Sequence, residues 1–353
     1  MTAGVFCYGA ITRDWSRRPT RNLKDSCDSL EGEMVMSNVM DAAIVDAKEI
    51  REGVDDHVLL AGRPPIGEFL GFIRTLGVEG ETADLGQATT AWRLANDHVH
   101  DLENREAGLA DEPVIGAIPK DLEALKRRVL EDPIFQRCFQ FVPVDIAIVE
   151  LDRLVVFQKH INLAFVRELK QKLGTDPSPE QVFRFCLPFD HPHPAVRMRQ
   201  TAANGYTFVS PSDDFRFLEA ALLKPAQIVG YAPQGPLVAV LGLMMGYGSN
   251  FLQTIHVENR LVLGNGSHRA FALRDLGVTR VPCIVQRVSR REELELVGSG
   301  DLQQNPDRYL EVARPPLLKD YFDPALRTVI PVARKHHVVR LSFGFEQGDI
   351  PAT

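Results

Sequence analysis

Within six residues, Gly264-Asn265-Gly266-Ser267-His268-Arg269, the chain combines two glycines, a hydroxyl, an imidazole and a guanidinium. Such a glycine-bracketed turn running into a helix presents backbone N–H groups and the positive end of a helix dipole, which suits an anion and phosphate above all. His268 and Arg269 add donors in the first turn, where the dipole disfavours cations unless a negative ligand compensates. The plainer alternative is that Ser267 only caps the helix and that Arg269 pairs with a carboxylate such as Asp275 or Glu258.

The elements that must position this loop are legible around it. Leu261–Leu263 reads as a short apolar strand. The residues after Ser267 read as a helix with Ala270, Phe271, Leu273 and Leu276 on one stripe, stopped by Gly277. Val281–Val285 reads as a second apolar strand, and Glu258-Asn259-Arg260 as a tight turn.

The stretch NGSHRAFALRDLGVTRVPCIV resembles the signature of the ParB/sulfiredoxin-like superfamily, with a weaker likeness at VDIAIVELDRLVVFQKHIN (144–162) to the first strand and turn of that domain. The resemblance implies a small mixed-sheet core in which Gly264, Asn265, Gly266, Ser267, His268 and Arg269 hold nucleotide phosphates, with ATP, ADP or CTP and Mg²⁺ as cofactors. It also implies that the turn Phe157-Gln158-Lys159-His160 faces the loop. Gln158 stands where small-molecule kinases of the superfamily place a carboxylate base. Ser267 stands where sulfiredoxins carry their reactive cysteine, which excludes that thiol chemistry. No helix-turn-helix pattern follows the loop, which counts against a chromosome-partitioning role.

Other residues are candidates by type. Lys159 can contact a phosphate, and His160 can act as a base because its ordinary pKa lies near neutrality; the alternative is a solvated turn. His191 and His193, in an extended Asp-His-Pro-His stretch, point the same way and with Gln158 and Arg197 are expected to line a substrate pocket. Nothing nearby completes a metal set. Asp213 or Ser212 reads as the N-cap of an expected helix, with Mg²⁺ ligation by Asp213 and Asp214 as the sharper alternative. Lys335, His336 and His337 read as surface.

The whole chain sets the bounds. It has 353 residues, 44% hydrophobic and 25% charged, with a net charge of −7, ordinary values for a globular protein. The acidic balance counts against broad nucleic-acid binding, which needs a basic surface, and leaves a local basic patch around Lys159, Arg197, Arg199, Arg269 and Arg287 open. Five scattered cysteines indicate neither a disulfide framework nor structural zinc. The expected setting is cytoplasmic, without a secretory signal or a membrane partner; a homodimer is compatible.

The fold class expected is α+β. Residues 1–140 are expected to be mainly helical, loosely ordered at the start, with helices at 67–78, 89–109 and 120–132. Residues 141–300 are expected to form the ParB/sulfiredoxin-like core with an insertion near 176–226. Residues 301–353 are expected to form a C-terminal extension packing on that core, with a strand at 336–345. Inside the insertion, 213–223 is expected to be a helix between strands at 205–210 and 227–232, with a further strand within 236–248. The function these readings favour is phosphoryl transfer or nucleotide hydrolysis on a small molecule. The alternatives are a nucleic-acid-binding protein or nuclease of the same fold, and a non-catalytic nucleotide sensor.

Overall fold

The computed structural model describes residues 53–230 and 233–350. The expectation of loose order at the start of the chain lies outside them. The described residues are mixed α and β. The helices are α1 (Ile66–Leu76), α2 (Leu85–Arg105), α3 (Glu123–Leu130), α4 (Pro133–Cys138), α5 (Leu163–Leu173), α6 (Pro179–Cys186) and α7 (Ser267–Asp275), followed by three short ones between residues 294 and 310. The strands are β1 (Val54–Leu60), β2 (Val144–Glu150), β3 (His160–Asn162), β4 (Arg197–Ala202), β5 (Gly205–Ser210), β6 (Phe215–Leu223), β7 (Val240–Tyr247), β8 (Gln253–Val257), β9 (Arg260–Asn265), β10 (Arg280–Val288), β11 (Arg327–Ala333) and β12 (His337–Ser342).

The chain divides into two compact units. Among described residues the first holds 53–192 and 249–334, and the second holds 193–248 and 335–350. The division therefore falls elsewhere than the sequence boundaries at 140 and 300. Residues 53–140 join the core, and the C-terminal stretch is shared between the units.

The first unit is built on a four-stranded sheet in the order β2-β10-β8-β9. β10 is central, antiparallel to β2 and parallel to β8, while β8 and β9 form a hairpin. Val281 to Gln286 of β10 are buried without a break, as a strand covered on both faces requires. The parallel β8–β10 pair needs a crossover, and β9 with α7 supplies it. A second sheet, β11-β1-β3, is antiparallel throughout. The apolar core joins Ile146 and Val149, Leu261 and Leu263, Val281 and Ile284 with Phe271 and Leu273 of α7 and Val166 and Leu169 of α5.

Three expectations need correction. Residues 54–60 form the middle strand of a sheet, although 1–140 reads mainly helical. Residues 213–223 are not a helix: Phe215–Leu223 is β6, paired antiparallel with β7, so the helical propensity of Leu-Glu-Ala-Ala-Leu-Leu yields to a tertiary partner. No strand forms over the described part of 227–232; residues 225–227 make a single 3₁₀ turn, and 231–232 lie outside the described residues. The second unit comprises the β6–β7 hairpin and a three-stranded antiparallel sheet β12-β5-β4. It is held by ring contacts of Phe215 with Phe208 and Tyr247 and by a hydrogen bond between the Ser210 and Tyr247 hydroxyls.

Candidate functional site: the head of helix α7

At the end of β9 the backbone turns through Gly266 with φ of 90° and ψ of 24°. A Cβ there would lie 2.6 Å from Leu252 Cδ1 and 3.2 Å from Leu252 Cα. Conformation and space both demand glycine. Asn265 fixes the approach by donating its side-chain amide to Ser249 O (2.8 Å) and accepting from the Gly266 N–H (2.8 Å). Gly266, not Ser267, is the N-cap. Ser267 is the first helical residue and makes no capping bond. The helix ends as expected near Gly277, whose N–H donates to Arg274 O while Val278 N–H reaches Leu273 O, a Schellman closure. The single apolar stripe is corrected: Arg269 through Leu273 are buried consecutively, because α7 is enclosed on most sides.

The two basic residues of the loop do different work. Arg269, 7% exposed, donates to the carbonyls of Phe185 (3.1 Å) and Cys186 (3.0 Å) at the end of α6 and to Asn250 Oδ1 (2.7 Å). The expectation that its side chain serves a phosphate gives way to this positioning role. Neither carboxylate named for it is its partner, since Glu258 pairs with Arg291 and Asp275 with Lys170. His268 Nε2 accepts from the backbone N–H of Asn162 (3.0 Å), and Phe165 meets its ring edge-on. Asn162 caps α5 through its side-chain oxygen.

The turn after β2 does come to the loop. Gln158 donates its amide to Leu263 O (3.1 Å), and Tyr321 Oη donates to Gln158 O (2.6 Å). Gln158 Oε1 is buried without a hydrogen-bond partner. Lys159 is exposed, with Glu68 3.6 Å away.

His160 contacts a residue that the sequence reading missed. Its Nδ1 lies 2.8 Å from Nδ1 of His57 on β1, and Phe72 packs on its ring. One ring donates Nδ1–H and the other accepts, so the two rings carry opposite tautomers when neutral. Asp55, two residues before His57, accepts from Arg334 and from the Asn162 side chain (3.3 Å). The Arg334 guanidinium holds the Asp55 carboxyl below the usual carboxylate range, against the effect of burial. The β1–β3 register sets His57 opposite Asn162 and Leu59 opposite His160. The signal that could have found His57 is the Val-Leu-Leu run after it, which reads as a buried strand once a helix is not assumed.

The remaining candidates scatter. His191 bonds to Asp132 (2.9 Å) and sits edge-on against Phe251, with a positive φ of 42°. His193 stacks on Tyr247 in the second unit. Arg197 lies exposed on β4, also in the second unit. Asp213 and Asp214 cap no helix; Asp214 accepts from Gly248 N–H and pairs with Arg216. Among the described residues no group of three His, Cys, Asp or Glu could hold a metal ion. Burial pushes the Cys283 thiol up to about 12 and raises Cys186 too, so neither is a nucleophile at neutral pH. A cleft of about 430 Å³ elsewhere on the unit has its cations already engaged: Arg153 donates to Leu109 O and Asp111 O, and Lys319 pairs with Glu106.

No family model, curated protein or solved structure matches the chain. No helix among the described residues is long and apolar enough to cross a membrane.

Proposed function

We propose that the chain is a nucleotide-dependent enzyme of the ParB/sulfiredoxin-like type, transferring or hydrolysing a phosphoryl group at the head of α7. The reading is carried by one observation. Two segments about a hundred residues apart, 158–162 and 263–268, meet at the N-terminus of a helix through the Gln158–Leu263 and Asn162–His268 hydrogen bonds. The amides of the first turn of α7 would receive the phosphates, with Ser267 adding a hydroxyl. Arg269 anchors the loop to the end of α6. Mg²⁺ enters only as the nucleotide's own counter-ion.

His160 is the general base in this reading. It lies two residues before Asn162 on β3 and so projects to the same side; its bond to His57 fixes the ring's orientation, and with Nδ1–H given to His57 its Nε2 would be the basic nitrogen. The acceptor hydroxyl would give its proton to the imidazole as the phosphoryl group leaves the nucleotide. Positioning and charge neutralisation supply the rest of the acceleration.

Calorimetry of the full chain with ATP, ADP and CTP, each with Mg²⁺, tests the proposal. Saturable binding of at least one nucleotide is expected, weakened about tenfold or more (1.4 kcal/mol) by His268→Ala. His160→Asn should leave binding intact and slow turnover about 10²-fold or more. Absence of heat with all three nucleotides overturns the reading.

A further inference from the structure

The β6–β7 hairpin of the second unit has one face made wholly of apolar side chains. Its register pairs Phe217 with Met245, Ala220 with Leu243 and Leu222 with Leu241. Directly opposed residues share a face, as do alternate residues along a strand. A one-residue bulge after Phe217 absorbs the shift between the two halves of the ladder. Arg216 and Glu219, opposite Gly246 and Met244, take the other side. At its inner end the apolar face joins the core of the second unit, where Phe215 is buried beside Tyr247. Further out, Phe217 is 48%, Leu241 65% and Leu222 75% exposed. An apolar sheet face is normally packed against a core, and a two-stranded hairpin is marginally stable without such packing.

Size decides what can cover it. Eight ladder residues on each of two strands give a face of roughly 300 Å². A second copy seated face to face would bury roughly 600 Å² in total, about half of the ~1,200 Å² at which specific interfaces begin. A segment tethered to the same molecule needs less area, because a short linker raises its effective concentration to the millimolar range.

We propose that residues 34–45 of the chain cover this face in the same molecule. They read Met-Val-Met-Ser-Asn-Val-Met-Asp-Ala-Ala-Ile-Val, nine of twelve apolar, and their three methionines adapt to a face that mixes large and small side chains. Seven residues, 46–52, five of them charged, lead from there to Gly53. The Gly53 carbonyl accepts from the Arg334 N–H (2.8 Å), and the chain passes into the second unit at the next residue, Lys335. Two residues further, His337 stands opposite Ser210, whose hydroxyl meets that of Tyr247 at the inner end of the apolar face. The eight steps from Val45 to Gly53 span up to about 28 Å, about the length of the face itself. An earlier apolar run, Val5–Ile11, is separated from Gly53 by 41 residues, and effective concentration falls with linker length. This cover belongs to the second unit and is independent of the nucleotide reading.

Photocrosslinking of the full chain in dilute solution is the test. With p-benzoylphenylalanine in place of the exposed Leu222, irradiation and proteolysis should yield an adduct within residues 34–45, recovered from the monomer band of a denaturing gel. Adding Met40→Asp and Ile44→Asp should cut that adduct about tenfold, because two buried apolar side chains are lost. The same group in place of Leu94, exposed on α2 of the first unit, should give no such adduct, which separates docking from random collision. No adduct with residues 34–45, adducts chiefly with 5–11 or between two chains, equal yields from positions 222 and 94, or a yield unmoved by the two aspartates overturns the proposal.

Discussion

At the residue scale, the site depends on one backbone angle. Gly266 occupies the left-handed region with Leu252 pressed against the place a Cβ would take. Gly266→Ala meets two separate costs. The left-handed conformation of a non-glycine residue costs about 1–2 kcal/mol, and the overpacking against Leu252 adds about 1–3 kcal/mol. Urea denaturation should show a loss of about 2 kcal/mol or more. A loss under 0.5 kcal/mol would mean that the turn relaxes and does not constrain the head of α7. Gly264 is different: the nearest atom to its missing Cβ is 3.5 Å away, so Gly264→Ala should be close to neutral in the same assay. The two glycines look equivalent in the sequence; the left-handed turn at Gly266 and the position of Leu252, on another segment, distinguish them.

At the element scale, the helix α4 shows how a cap and a side-chain hydrogen bond combine. Asp132 caps it, accepting from Ile134 and Phe135 N–H, and also accepts from His191. Burial alone would raise the Asp132 pKa, but the His191 bond and the two amide bonds outweigh it and hold the carboxyl below its ordinary value of 3.8. A carboxyl with a depressed folded-state pKa stabilises the fold above its unfolded value, and that contribution is lost as pH falls through the folded value. Asp132→Asn should therefore be less stable than the parent at pH 6, with the gap closing as the pH is lowered towards 3. Chemical denaturation at several pH values measures it, and a gap that widens on acidification contradicts this account. The sequence already placed a helix end at Asp132-Pro133, because a proline disfavours helix in the residue before it. It equally reveals α5 with its Asn162 cap and the β9–loop–α7–β10 unit, since local turn chemistry specifies each. It conceals β1 and β6. The partner of β1, β11, is distant in sequence, the partner of β6, β7, follows only after a long connection, and nothing in Val-Asp-Asp-His or Phe-Leu-Glu-Ala-Ala announces which strand will claim them. His57 was hidden with β1. The role of Arg269 was hidden for a similar reason: the carbonyls of Phe185 and Cys186 that occupy it belong to a helix end over eighty residues away.

At the scale of the whole molecule, the first unit is closed by charges that its core buries. The tripeptide Arg-Pro-Pro occurs at 63–65 and again at 314–316, and the two copies meet. Arg63 donates to the carbonyl of Arg314 (2.7 Å), and Trp92 holds Pro64 O (2.9 Å). Arg314, fully buried, grips Asp320 with both terminal nitrogens (2.7 and 2.6 Å) and reaches Glu106. Arg63 Nη2 lies 3.6 Å from the same Asp320. Burial pulls the Arg63 pKa down despite the nearby Asp320 charge, whereas Asp320 and Glu106 push that of Arg314 up against burial. One carboxylate thus faces two guanidiniums drawn from opposite ends of the first unit's sequence. Asp320→Asn keeps the shape and removes the charge, leaving Arg63 and Arg314 buried with only Glu106 of their two hydrogen-bonded or nearby carboxylate partners described above; breaking a buried pair in this way costs about 3–5 kcal/mol. For a unit of this size each kcal/mol is worth about 2–4 °C in Tm, so the variant should melt between about 6 and 20 °C lower. Asp320→Leu paired with Arg314→Met removes both charges together and should recover part of that loss, because a buried pair is more costly to break than to replace. If the single variant melts within 2 °C of the parent, the charges do not close the unit, and its cohesion lies in the apolar core alone.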